Sequence, residues 1–319
     1  MHSSSFGRAA LAVALVAAAL PGRAAGHSVG ANLRVEATNG KVLADATQYS
    51  SAANVRTSRG ADCFGPPGGS GRRVKVPNAT ALGLVADALP NLATLRPLSL
   101  TDQFSFGLGV CGIGGHVASG QAFWYLKRNH VGAQVGGDQL KVHDGDRVLW
   151  YLAPSFPPGD ELALHMPRVV SAGQPQRVRV TAFDDKGRET PAAGADVSFG
   201  TGPTDASGHT GVILPRAGTF RVQATKAGDI PSNAKVVCAV NGTGQCGVAR
   251  RIFGSPGPDR ISTTSGNDVV KAGAGDDRIQ LKLGGEDRVH CGRGRDIVVR
   301  HHQDRDDRIA ASCEKVIRR

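Results

Sequence analysis

Six aspartates near the C-terminal end of the chain recur in a fixed setting. Asp259, Asp268, Asp277, Asp287, Asp296 and Asp307 are each followed, two positions on, by Ile261, Val270, Ile279, Val289, Val298 and Ile309 respectively. Gly257, Gly266, Gly275, Gly285 and Gly294 stand two positions before the first five. The intervals between the aspartates are nine, nine, ten, nine and eleven residues. Carboxylates repeated in this way are the oxygen donors that a hard cation such as Ca2+ takes, with backbone carbonyls completing the shell. Arg260, Arg278, Arg288 and Arg308 directly follow four of the six. A guanidinium is therefore the competing counter-charge, and it would leave a purely structural element without an ion. The sequence leaves both readings open.

Elsewhere, chemistry-bearing patterns are sparse. The chain has no Gly-x-Ser-x-Gly elbow, no HExxH and no phosphate-binding GxxxxGK[ST]. Asp144 and Asp146 resemble a carboxylate pair, but they flank Gly145, and a tight hairpin turn accounts for them. His301-His302, the one adjacent histidine pair, lies in a polar stretch where solvation suffices. Trp124, Tyr125 and Trp150 offer either a stacking surface for a small ligand or the core of a domain with few other aromatics. The chain reads as non-enzymatic.

From Gly254 to Ala310 the repeat resembles GGxGxDxUx, the nonapeptide of RTX toxins and secreted proteases. The resemblance implies a parallel β-roll in which nine residues make half a coil, a glycine-rich turn and then a short strand with its apolar residue inward. Asp259, Asp277 and Asp296 then stack on one edge, and Asp268, Asp287 and Asp307 on the other, with Ca2+ as the implied cofactor. Several residues depart from the pattern. The first consensus glycine survives only at Gly254 and the second only at Gly273 and Gly292, with Ser255, Thr264 and Leu283 at equivalent positions. An extra residue among 281–283 shifts the register.

The elements that must carry these residues divide the chain. Residues 27–165 read as mixed α and β. Leu33, Val35 and Ala37 alternate as in a strand, and Asn78 is placed to cap a helix bearing Leu82, Val85, Ala86 and Leu89 before Pro90. FWYLKRNHVG followed by LKVHDGDRVLWYLAP resembles the transcobalamin C-terminal-like domain of unknown function, which implies a β-grasp-like fold and a small ligand, carbohydrate or corrinoid. Residues 166–241 hold short alternating runs, Val178-Val180-Ala182, Ala195-Val197-Phe199 and Phe220-Val222-Ala224, separated by turn clusters. Together with TDASGHTGVILPRAGTFRVQATKAG they resemble bacterial immunoglobulin-like domains. The expected fold class is mostly β and multi-domain: a β-grasp-like α+β domain at 27–165, an immunoglobulin-like β-sandwich at 166–241 and a C-terminal parallel β-roll at 242–319.

Residues 1–26 carry a basic start, the apolar run Ala9 to Leu20 and small residues at Ala24 and Gly26, the pattern of a signal peptide cleaved ahead of His27. The twelve residues of that run are too few to span a bilayer and no second apolar segment offers an anchor, so a secreted or cell-surface protein without membrane insertion is expected. Six cysteines in an exported chain predict three disulfides. Proximity pairs Cys238 with Cys246 and Cys291 with Cys313, leaving Cys63 with Cys111. The formal charge of +11 is spread along the chain, and aromatics make up only 5%, which argues against a nucleic-acid partner and leaves an anionic cell-wall polymer or a small ligand. Two functions are expected from this reading. In one, the C-terminal repeats bind calcium in an extracellular structural or adhesive protein. In the other, the N-terminal domain binds a small ligand and the roll is calcium-free.

Overall fold

The computed structural model describes residues 28–319, except 62, 64–67, 77–78, 243–249, 265 and 305. The expected signal peptide, Asn78 and Cys246 lie outside the described residues. The chain is mostly β, built as several sheets around separate cores. No described helix is long and apolar enough to cross a membrane.

The strand Val29–Glu36 sits at the centre of the first module, antiparallel to Val42–Ser50 and parallel to Arg147–Ala153, which in turn pairs antiparallel with Phe123–Arg128. The alternation read from the sequence decides the faces. Ala31, Leu33 and Val35 point into a core shared with the helix Ala81–Ala88, which buries Leu82, Leu84 and Val85. Thr80 caps this helix, its Oγ1 accepting from the Gly83 N–H at 3.2 Å. Trp124 and Trp150 belong to the same core, and their indole N–H groups donate to the carbonyls of His116 and Ala81. Both are buried, as the core alternative for them has it, and Tyr125 lies on the opposite side of the sheet. Cys63 and Cys111 are bonded. The Asp144-Gly145 turn does not close a hairpin. It leads into Arg147–Ala153, whose partners are Val29–Glu36 and Phe123–Arg128, and Asp144 Oδ1 accepts from the Gly30 N–H at 2.8 Å.

The second module is two layers. One sheet joins Glu161–His165, Pro175–Phe183, Glu189–Pro191 and His209–Ile213, and the other joins Val169–Ser171, Lys235–Val240 and Gly218–Val222. Val178, Val180 and Ala182 meet Val237, Ala239 and Val222 between them. Leu162 and Leu164 share this core, so the first strand of the module begins ahead of the boundary expected at 166. Phe199, expected inside, is 44% exposed at a positive φ of 61°. The opposite face of the first sheet packs here, with Leu149, Tyr151 and Ala153 against Ile230. Arg34, buried beside this contact, pairs with Glu36 at 2.6 Å and donates to Asn233 Oδ1 at 2.6 Å.

The C-terminal segment winds as a parallel roll. Arg250–Phe253, Asp268–Ala274, Arg288–Arg293 and Arg308–Ile309 form one side, and Arg260–Ser262, Arg278–Gln280, Ile297–Arg300 and Lys315–Arg318 the other. Ile252, Ile261, Val270, Ile279, Val289 and Val298 fill the space between them. The first side is continuous with the N-terminal sheet: Thr47 and Gln48 pair in parallel with Ile252 and Phe253. Phe253 is part of the first module's core, and Tyr49 packs on that of the roll. The sheet therefore crosses the boundary expected at 242.

Candidate functional site: two carboxylate ladders

Each coil passes from one side of the roll to the other through a turn that ends on an acidic residue. Glycine allows the turns to stack: a Cβ at Gly292, where φ is +107°, would lie 1.8 Å from the Gly273 carbonyl oxygen. Stacking brings the aspartates into register as two ladders. On one edge the Asp259 N–H donates to Asp277 Oδ1 at 2.9 Å, the Asp277 N–H to Asp296 Oδ1 at 2.9 Å, and the Asp296 N–H to Glu314 Oε2 at 2.9 Å. On the other edge the Arg250 N–H donates to Asp268 Oδ1 at 3.2 Å, the Asp268 N–H to Asp287 Oδ1 at 2.8 Å, and the Asp287 N–H to Asp307 Oδ1 at 3.1 Å. All six predicted aspartates are buried and fall on the two edges in the expected grouping.

Their second oxygens differ. Asp259 Oδ2 accepts from the Ser255 N–H at 2.6 Å, and the Ser255 hydroxyl donates to Oδ1 at 3.0 Å. Asp268 Oδ2 accepts from both the N–H and the hydroxyl of Thr264, at 2.6 and 2.9 Å. These two hydroxyl residues occupy the position of the second consensus glycine, and they satisfy the carboxylate locally. Where that glycine is kept, at Gly273 and Gly292, Oδ2 of Asp277 and of Asp296 is buried with no hydrogen-bond partner; Oδ2 of Asp287 and Asp307 is in the same state. A buried carboxylate oxygen without a donor is costly, and protonation or a cation relieves it.

The electrostatics agree. Burial pushes the Asp277 carboxyl up to about 8, with the charges of Asp259, Asp296 and Asp276 adding to the shift. Burial raises Asp287 to about 6, and raises Asp259, Asp296 and Asp307 above the ordinary carboxylate range. Arginine charge reaches Asp307, where Arg300 lowers the carboxyl against the larger effect of burial. Among the described residues none of the six aspartates forms an ion pair with a guanidinium, and the one arginine ion pair in the roll joins Arg308 to Glu286 at 2.7 Å. Strand alternation explains this: each arginine follows an inward aspartate and so projects outward, as the exposed Arg260, Arg288 and Arg308 do.

Sequence reasoning missed three contributors. Ser255 and Thr264 read as lost glycines, although their spacing to the aspartate is that of a side chain capping its own turn. Glu314 completes the first ladder and carries the same signature as the aspartates, an acid with an apolar residue, Val316, two positions on. No described group of three or more His, Cys, Asp or Glu side chains converges as a metal cluster. Each ladder instead supplies one carboxylate per coil, beside backbone carbonyls. The remaining covalent feature is the Cys291–Cys313 disulfide, which ties the last coil to the one before it. Cys246, the partner expected for Cys238, lies outside the described residues.

The RTX calcium-binding nonapeptide repeat, in four copies, matches residues 253–285. This stretch of the chain carries RTX repeats, and the ladders extend the pattern beyond it to Glu314. No curated protein and no solved structure matches the chain, and the transcobalamin-like and immunoglobulin-like resemblances find no support among the families.

Proposed function

We propose that the chain is an exported, non-enzymatic modular protein whose C-terminal roll takes up Ca2+ at Asp277 and Asp296 and is stiffened by it, in a structural or adhesive role outside the cell. The observation that carries this reading is the pair of partnerless buried oxygens, Asp277 Oδ2 and Asp296 Oδ2, at the turns built on Gly273 and Gly292. A divalent cation would supply the positive charge that both lack, with turn carbonyls filling its shell. Asp287 and Asp307 form a second, weaker edge, because Leu283 and Gln303 stand where the turns of Asp277 and Asp296 have Gly273 and Gly292. Asp259 and Asp268 act as structural caps satisfied by hydroxyl groups. The transcobalamin-like and immunoglobulin-like readings of 27–165 and 166–241 belong to the same proposal, with both modules displaying and anchoring the roll. Equilibrium dialysis of the full chain against radioactive calcium tests it. Saturable uptake lost in Asp277→Asn/Asp296→Asn supports the reading, and no uptake at millimolar calcium overturns it.

A further inference from the structure

The roll hides its acids and shows its bases. Between 250 and 319 the chain has fifteen Lys and Arg against eleven Asp and Glu. Seven of those acids, Asp259, Asp268, Asp277, Asp287, Asp296, Asp304 and Asp307, are buried. The side chains that a partner can touch on the roll are therefore mostly cationic. Cations line both sides of the roll, Arg260, Arg278, Lys315 and Arg318 on one side and a second set on the outer face of the side continuous with the N-terminal sheet. There the parallel register sets Arg251 opposite Val269, Val269 opposite Arg288, and Arg288 opposite Arg308, forming one row across four strands. Two residues on, Lys271 stands opposite His290. All of these cationic positions are exposed, and the residues between them, Ile252, Val270, Ala272, Val289 and Cys291, point inward. Among the described residues only Arg308 of this set has an ion-pair partner, Glu286; Arg251 lies over the ring of Phe253 at 5.1 Å.

We infer that this face binds a linear anionic polysaccharide, a chain of carboxylate-bearing sugars lying across the strands along the Arg251–Arg288–Arg308 row. Adjacent strands are about 4.8 Å apart, so a polymer crossing them meets Arg251, then Val269, then Arg288 and Arg308 on neighbouring strands, with Lys271 beside the gap at Val269. Multiple exposed charges on a flat surface capture such a polymer without a deep pocket. The face offers no exposed Phe, Tyr or Trp on which successive bases would stack, Phe253 being buried and His290 standing alone, which favours a sugar polymer over single-stranded nucleic acid. The face is present with or without calcium in the ladders, so its failure would leave the calcium reading intact.

The test is binding of the full chain to immobilised hyaluronan at low salt, with neutral dextran and single-stranded DNA as comparison surfaces. Arg251→Ser/Lys271→Ser/Arg288→Ser is compared with Arg177→Ser/Arg179→Ser/Arg216→Ser, which removes equal charge from the second module. The expected result is binding to hyaluronan and not to dextran. It should fall roughly tenfold or more in the first variant and stay within about twofold in the second, with both variants melting like the parent. An equal fall in both variants would reduce the effect to net charge and overturn the assignment. So would no fall in the first, or tighter binding of DNA than of hyaluronan at this face.

Discussion

At the scale of single residues, two kinds of aspartate share one repeat. Asp259 and Asp268 have hydroxyl partners, whereas Asp277 and Asp296 have a buried oxygen with none. Ser255→Ala is expected to destabilise the first coil by about 1 kcal/mol, since it removes a hydrogen bond to a buried carboxylate, and urea unfolding at fixed calcium would measure it. Asp277 also predicts a pH dependence. Its folded value of about 8 lies above the ordinary 3.8, so the ion-free roll holds the carboxyl protonated and loses stability as pH rises from about 4 through 8. Calcium requires the ionised form, so uptake should release a proton and strengthen with rising pH. In chelator the chain should melt higher at pH 5.5 than at pH 8.5, and saturating calcium should erase or reverse that order. The aspartates were legible in the sequence because one recurs every nine to eleven residues with an apolar residue two positions on. The hydroxyl caps were not, because a Ser or Thr in place of Gly reads only as a departure from the pattern.

At the scale of elements, the roll is strong where coils stack and weak where they stop. Arg308–Ile309 and Lys315–Arg318 each have a neighbour on one side only. The Cys291–Cys313 bond closes a loop with a sequence separation of 22 across this end. Replacing both cysteines with alanine should cost about 2–4 kcal/mol locally. Hydrogen exchange would then speed up across 308–318 and stay unchanged in Arg260–Ser262. The strands of the roll and the helix Ala81–Ala88 could be read from apolar spacing, since each buries one face. The Asp144-Gly145 turn misled because a turn signal is local: it marks where the chain reverses but not which strand it then joins, and here the parallel partner is Val29–Glu36.

At the scale of the whole molecule, the first module and the roll share one sheet, and the strand Val42–Ser50 serves as the first coil's neighbour. A solenoid end without such a neighbour frays, so the N-terminal module acts as the cap. Phe253 ties the two together: it lies on the first strand of the roll but within the other module's core. Phe253→Ala should cost about 3–5 kcal/mol and lower the unfolding of both regions together, as scanning calorimetry would show by one shifted transition. Loss of a roll transition alone would contradict the shared sheet. Nothing local in the sequence announces this pairing. Thr47 and Ile252 are far apart along the chain, and a parallel partner leaves no turn signature between them.

Calcium donation by Asp277 and Asp296, as proposed, is decided by isothermal titration of the full chain with calcium after chelator treatment. The parent should give a saturable heat with a dissociation constant of roughly 0.1–1 mM, the range of extracellular calcium modules. Asp259→Asn should retain that heat, because the parent Asp259 is already satisfied by Ser255, and Asp277→Asn/Asp296→Asn should abolish it. A parent that gives no heat at millimolar calcium, or a double variant that titrates like the parent, would contradict the account.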